Sequence, residues 1–154
     1  MKKFEFIKLA SGVTVVNSTP HPITFMELDG TLVTVPSSCI INATVEDTVV
    51  KKLNIIKFVK PTFIPSEEGA AIIEQIHQAN PDALIIGSII AAQAFPGLVV
   101  GMTPCEGFER KPPAEKRMST TKFVSFETNK HKLTSRVKKL LDKAKNAVKK
   151  LTTF

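Results

Sequence analysis

His21 stands between Pro20 and Pro22. Flanking prolines stiffen a backbone, and a stiff backbone could hold an imidazole toward an anionic ligand or present it as a general base. The same setting also suits a turn whose histidine only fixes a hairpin register. No second catalytic group is tied to it by spacing. A second setting is Gly87-Ser88, which separates the apolar runs Ala83 to Ile86 and Ile89 to Phe95. Strand, small-residue turn and helix together aim backbone N–H groups at a phosphate or carboxylate. A serine at that point is equally an ordinary helix N-cap. The segment has neither the Gly-x-Ser-x-Gly of a nucleophile elbow nor the Gly-x-x-x-x-Gly-Lys-Ser/Thr of a phosphate-binding loop. Gln93 lies five residues further on, inside an apolar helix. A buried amide must find partners there, in a ligand or in the chain itself.

Metal and thiol chemistry find little support. Cys39, Cys105 and the histidines His21, His77 and His131 show no metal-ligand spacing, and no metal or cofactor is expected. Cys105 has no neighbouring base to activate it. Two cysteines are too few for a disulfide scaffold. Glu67, Glu68 and Glu74 read as solvated cap and face residues of one helix rather than as an acid/base pair.

The net charge of +7 is concentrated in one segment. Residues 130–154 carry nine Lys or Arg against the single acid Asp142, a net of +8; residues 1–129 carry the other 12 bases and 13 acids, a net of −1. The basic pI therefore describes the tail. In residues 130–151, Leu133, Val137, Leu140, Leu141, Ala144, Val148 and Leu151 recur at spacings of three and four, the pattern of an amphipathic helix. Three readings of this helix stay open. Lys132, Arg136, Lys138, Lys139, Lys143, Lys145, Lys149 and Lys150 could contact nucleic-acid phosphates. The apolar stripe could lie on an anionic membrane. Or the stripe packs on the body or on a second copy, leaving the lysines in water.

The elements that would position these residues follow from patterning. With 154 residues, 43% of them hydrophobic, the chain has the size of one ordinary domain and enough apolar content for a core. Residues 4–64 read as β structure. Within them, Asp29-Gly30 signals a two-residue hairpin between Ile23 to Leu28 and Thr31 to Val35. Cys39 to Val45 and Val49 to Phe63 give one to three more strands, whose imperfect alternation suggests that some are buried on both faces. Ser66-Glu67-Glu68 opens a helix that Asn80-Pro81-Asp82 stops. A short strand, the short helix after Ser88 and the strand Leu98 to Val100 follow. Residues 103–120 read as a loop, and Thr121 to Phe126 as a strand. The expectation is an α+β fold: a mainly antiparallel N-terminal sheet, a short helix–strand–helix middle and a basic C-terminal helix. Residues 1–129 form one domain in this reading, and 130–154 its basic appendage. The apolar stretch Ala83 to Phe95 is too short to span a bilayer, and Met1-Lys2-Lys3-Phe4-Glu5 turns polar too early for a signal peptide. A cytoplasmic protein without a transmembrane segment is the expectation.

Two stretches together resemble a group of small bacteriophage and prophage proteins. Val16-Asn17-Ser18-Thr19-Pro20-His21-Pro22-Ile23 is similar to that group's Asn-x-Thr-Pro-His hairpin, with Asp29-Gly30 and Pro36-Ser37-Ser38 after it. Ala83 to Pro96 is similar to its strand, Ser and Ala-Gln-Ala helix. The resemblance spans roughly residues 13–104, excludes the basic tail, and brings no settled activity. It implies a phage-type origin and a host-cytoplasmic location, and it draws Thr19, His21, Ser88 and Gln93 into one candidate ligand-binding cluster. The leading expectation is an accessory protein acting by binding, sequestering a small anionic, nucleotide-like ligand or a host protein, with a homo-oligomer compatible. The alternatives are a nucleic-acid-binding factor using residues 130–151 and a small hydrolase built on His21 and Ser88.

Overall fold

A computed structural model describes residues 4–127 and 135–152. The first strands are β1 (Ile7–Lys8), β2 (Thr14–Asn17), β3 (Ile23–Met26) and β4 (Leu32–Val35), then the longer β5 (Ala43–Leu53) and β6 (Ile56–Pro65). Helix α1 (Glu67–Ala79), β7 (Leu84–Ile86), α2 (Ile89–Ala94), β8 (Val99–Pro104), β9 (Met118–Val124) and α3 (Ser135–Thr152) complete the order. The fold is α+β, as expected.

Seven strands form one mixed sheet in the order β1-β2-β7-β8-β9-β3-β4. The antiparallel pairs β1/β2 and β3/β4 sit at opposite ends of that order, so they do not make a separate N-terminal sheet. Parallel pairs β2/β7, β7/β8 and β3/β9 bind them to the later strands. The correction has a physical cause. The strands of the middle segment are too short and apolar to stand alone, and the central sheet positions bury them on both faces.

Alternation assigns the two faces. Val16, Ile85 and Val99 lie side by side in register and join the core beneath α1, α2 and α3, with Ile73, Ile76, Phe95 and Val137. Val15, Ile86 and Val100 point the other way, toward Ile23, Phe25 and Val35. Strands far apart in the sheet order thus share one core. Asn17 also bridges Ser37, just beyond β4, so the two ends of the sheet are drawn together and the sheet curls around this inner cluster.

Local chemistry sets the boundaries. The Ser66 Oγ accepts from the Gly69 N–H at 2.9 Å and donates to the Asn42 carbonyl at 2.7 Å, capping α1 and tying it to the loop before β5. Asn80 closes that helix. Glu74 is buried, not solvated as its spacing suggested. The Asp29-Gly30 hairpin has three loop residues instead of two. Glu27 N–H donates to Thr31 O at 2.8 Å, and Gly30 takes φ +91, the left-handed position that a three-residue loop requires. The loop expected over 103–120 narrows to 105–117, because β8 and β9 extend into it.

The largest departure concerns β5 and β6. Among the described residues they pair only with each other, and every residue from Thr44 to Thr62 is exposed. Strands of which some are expected to be buried on both faces instead form a hairpin arm with solvent on both. Ten residues from Thr44 to the tip correspond to about 30 Å at the usual strand rise.

Candidate functional site

The Asn-x-Thr-Pro-His segment forms a tied corner. Asn17 is fully buried at the end of β2, where its side chain follows the inward direction of Ile86 beside it. Its Nδ2 donates to the carbonyls of His21 at 2.8 Å and Val35 at 3.1 Å. Its Oδ1 accepts from the Thr19 N–H at 2.8 Å and the Thr19 hydroxyl at 2.7 Å. Both amide hydrogens and both carbonyl lone pairs are therefore used. Ser38 N–H donates to Asn17 O, and the Ser37 hydroxyl donates to Thr19 O. Ser18 donates through both its N–H and its hydroxyl to the Ile86 carbonyl. A buried polar cluster is tolerated when each member is paired, and this one binds β2, the segment after β4, and β7.

The four candidate ligand residues fall into different roles around this corner. Thr19 is buried, and its hydroxyl is occupied by Asn17 and by the His21 carbonyl at 3.0 Å. His21 contributes that carbonyl to the corner, and the residue is exposed. Ser88 caps α2, its Oγ accepting from the Ala91 N–H at 3.0 Å. Gln93 is half-buried in α2. The corner and the start of α2 do lie together: Gly87 is so close that an added Cβ would stand 2.6 Å from Val99 Cγ1 and 3.0 Å from Ser18 Oγ. That close approach requires glycine. One cleft, about 330 Å³, is lined by Ala10, Ser11, Glu27, Leu28, Asp29, Thr120 and Thr121, and none of the four candidates borders it. Asp29 there accepts from the Thr31 N–H at 2.9 Å, and hydrogen bonds from Thr31 hold its carboxyl below 3.8. Among the described residues no group of His, Cys, Asp or Glu is arranged to hold a metal ion.

The cationic helix supplies a different kind of surface. Val137, Leu141 and Ala144 of α3 are buried, the first two in the same core as α1 and the central strands. Lys138, Lys139 and Lys145 face outward and are exposed. Lys143 is also exposed and pairs with Glu67 at 2.6 Å, a surface ion pair of little energetic weight. Lys132 lies outside the described residues, as do the side chains of Arg136, Lys149 and Lys150. Among the described residues no helix is long and apolar enough to cross a membrane.

The arm was missed by sequence reasoning. Val45, Val49, Val50, Leu53, Ile55, Ile56, Phe58 and Val59 are eight of the fifteen large hydrophobic residues exposed in the described structure, and Ile55 at the tip is 95% exposed. Lys51, Lys52, Lys57 and Lys60 are interleaved with them. The signal that could have found it is the near-equal length of two β-rich runs around Asn54-Ile55. Asn54 takes φ +55, which asparagine tolerates, but Asn-Ile lacks the glycine that usually marks a two-residue loop.

Comparison with family models, with curated proteins and with solved structures finds no match for this chain.

Proposed function

We propose that this chain is a phage-type accessory protein of the host cytoplasm that acts by binding nucleic acid, with the outward face of α3 as its contact. One observation carries the reading: α3 commits Val137 and Leu141 to the core and turns Lys138, Lys139 and Lys145 to solvent. A helix held in this way is a firm support for cations, and cations on a firm support bind phosphates by releasing counterions. The same packing weighs against a membrane-surface role, since Val137, Leu141 and Ala144 of the stripe that would enter lipid are already covered. Sequestration of a small anion at Thr19, His21, Ser88 and Gln93 has weaker support, because the Thr19 and Ser88 oxygens already serve the chain.

Fluorescence anisotropy with labelled duplex DNA and single-stranded RNA tests the reading. Affinity should fall steeply between about 50 and about 200 mM salt. Replacing Lys138, Lys139 and Lys145 with glutamine should lower the log–log salt slope by up to about 0.9 for each duplex phosphate no longer neutralised. Binding that ignores salt, or a slope untouched by the triple substitution, refutes it.

A further inference from the structure

We propose that β5 is a self-pairing edge, and that two copies of this chain join through their arms, β5 antiparallel to β5 about a two-fold axis at Val49-Val50. This goes beyond the nucleic-acid reading and stands apart from it.

The first argument is the open ladder. In a two-stranded sheet each strand has one unpaired edge. In β6 that edge is interrupted by Pro61 and Pro65, which lack an N–H, whereas β5 contains no proline. A strand edge that keeps all its N–H groups is a template for another strand, and the single irregularity in β5, at Val50, falls on the proposed axis. The second is the apolar content. A lone two-stranded hairpin is marginal in water, and this one exposes Val45, Val49 and Val59 on one face with Leu53, Ile56 and Phe58 on the other. Those are the residues a longer sheet would cover.

Charge selects the occupant. Glu46 and Asp47 lie on the body side of Val49-Val50; Lys51 and Lys52 lie on the tip side. An antiparallel copy inverts that order, so acids meet lysines on both sides of the axis. The faces agree once the irregularity between Val49 and Lys51 is included. Asp47, Val49 and Lys52 pair with Pro61, Val59 and Lys57, and so share one face. Glu46, Thr48 and Lys51 pair with Thr62, Lys60 and Phe58 on the other. With Val49 opposite the partner's Val50, Asp47 stands opposite the partner's Lys52 on the same face. Glu46 then lies diagonal to the partner's Lys51. Opposite and diagonal neighbours are the pairs that stabilise sheets. Such a contact is isologous and closes at two copies. A polyanion or an anionic lipid surface lying along β5 would instead meet Glu46 and Asp47 with like charge.

The lysine pair adds weight. Lys52 lies directly opposite Lys57 within the hairpin, a like-charge pair that destabilises the free arm. The partner's Asp47 beside Lys52 relieves it.

Sedimentation equilibrium of the full chain tests the proposal. The wild type should sediment with the mass of two chains. E46K/D47K makes base and tip both positive, and K51E/K52E makes both negative. Each variant alone should weaken dimerisation by about tenfold or more, and an equimolar mixture should recover it, because only the mixed pair restores opposite charges. Circular dichroism melting confirms that each variant folds. A monomeric wild type overturns the proposal, as do variants that dimerise unchanged or a mixture that recovers nothing. Loss of binding to duplex DNA or anionic vesicles by a chain that stays monomeric assigns the arm to those partners and overturns it too.

Discussion

The tied corner at Asn17 and the arm at β5–β6 use the same materials to opposite ends. Each holds polar and apolar groups in close alternation. At the corner every hydrogen-bonding group of Asn17 and the hydroxyls of Ser18 and Thr19 are paired inside the chain. Along the arm, residues 44–62 turn everything outward. A polar motif that is fully paired inside is accounted for by folding. An apolar surface that folding leaves uncovered is not, and it is there that a partner is to be sought.

Substitutions can break or sharpen this contrast. Asn17→Ala removes four hydrogen bonds at once, taking a donor from the carbonyls of His21 and Val35 and the acceptor of the buried Thr19 N–H, so it should cost on the order of 3 kcal/mol in denaturant unfolding. A loss below about 1 kcal/mol would mean that the corner is not a structural tie. Ser88→Ala removes the cap of a six-residue helix and should cost about 1 kcal/mol by the same measurement. Ile55→Ser, at the tip of the arm, should leave chain stability within about 0.5 kcal/mol, because the residue is 95% exposed. His21→Ala should also change stability by no more than about 0.5 kcal/mol, since the corner uses the His21 carbonyl and not its imidazole.

The smallest effect is the acid limb. The Asp29 carboxyl is held below 3.8 by hydrogen bonds from Thr31, so its contribution is present above the unfolded value and is lost as pH falls through the lower folded one. Side-chain NMR titration should place its midpoint under 3.8, and Thr31→Val should move it upward.

What the sequence made legible was local. Ser66 and Ser88 as helix caps, Asn80 as a stop and Gly30 at a turn each depend on chemistry within four residues, and each is where the pattern put it. The identity of the pairing strands was not legible. Nothing near β2 announces β7, and nothing near β3 announces β9, because parallel partners are chosen by burial across the whole chain. The arm was misread for a related reason: β-branched residues on both faces look alike whether a neighbour covers them within the chain or outside it. The candidate site was read from residue types that suit chemistry. The structure spends the Thr19 hydroxyl on the Asn17 side chain and the His21 carbonyl, and the Ser88 hydroxyl on the Ala91 N–H, and a one-dimensional motif cannot reveal who occupies a hydroxyl.

The insertion of β9 between β8 and β3 bears on the order in which the molecule assembles. The arm closes on itself from residues 43 to 65, so it can form as soon as it leaves the ribosome. Phe25 must wait for Met118, and the curled sheet has no complete wall until the ninth strand has been made. Separations of that kind slow folding. The nascent chain therefore carries a sticky, self-pairing segment ahead of an unfinished body, and a chaperone or a neighbouring nascent chain would meet the arm first.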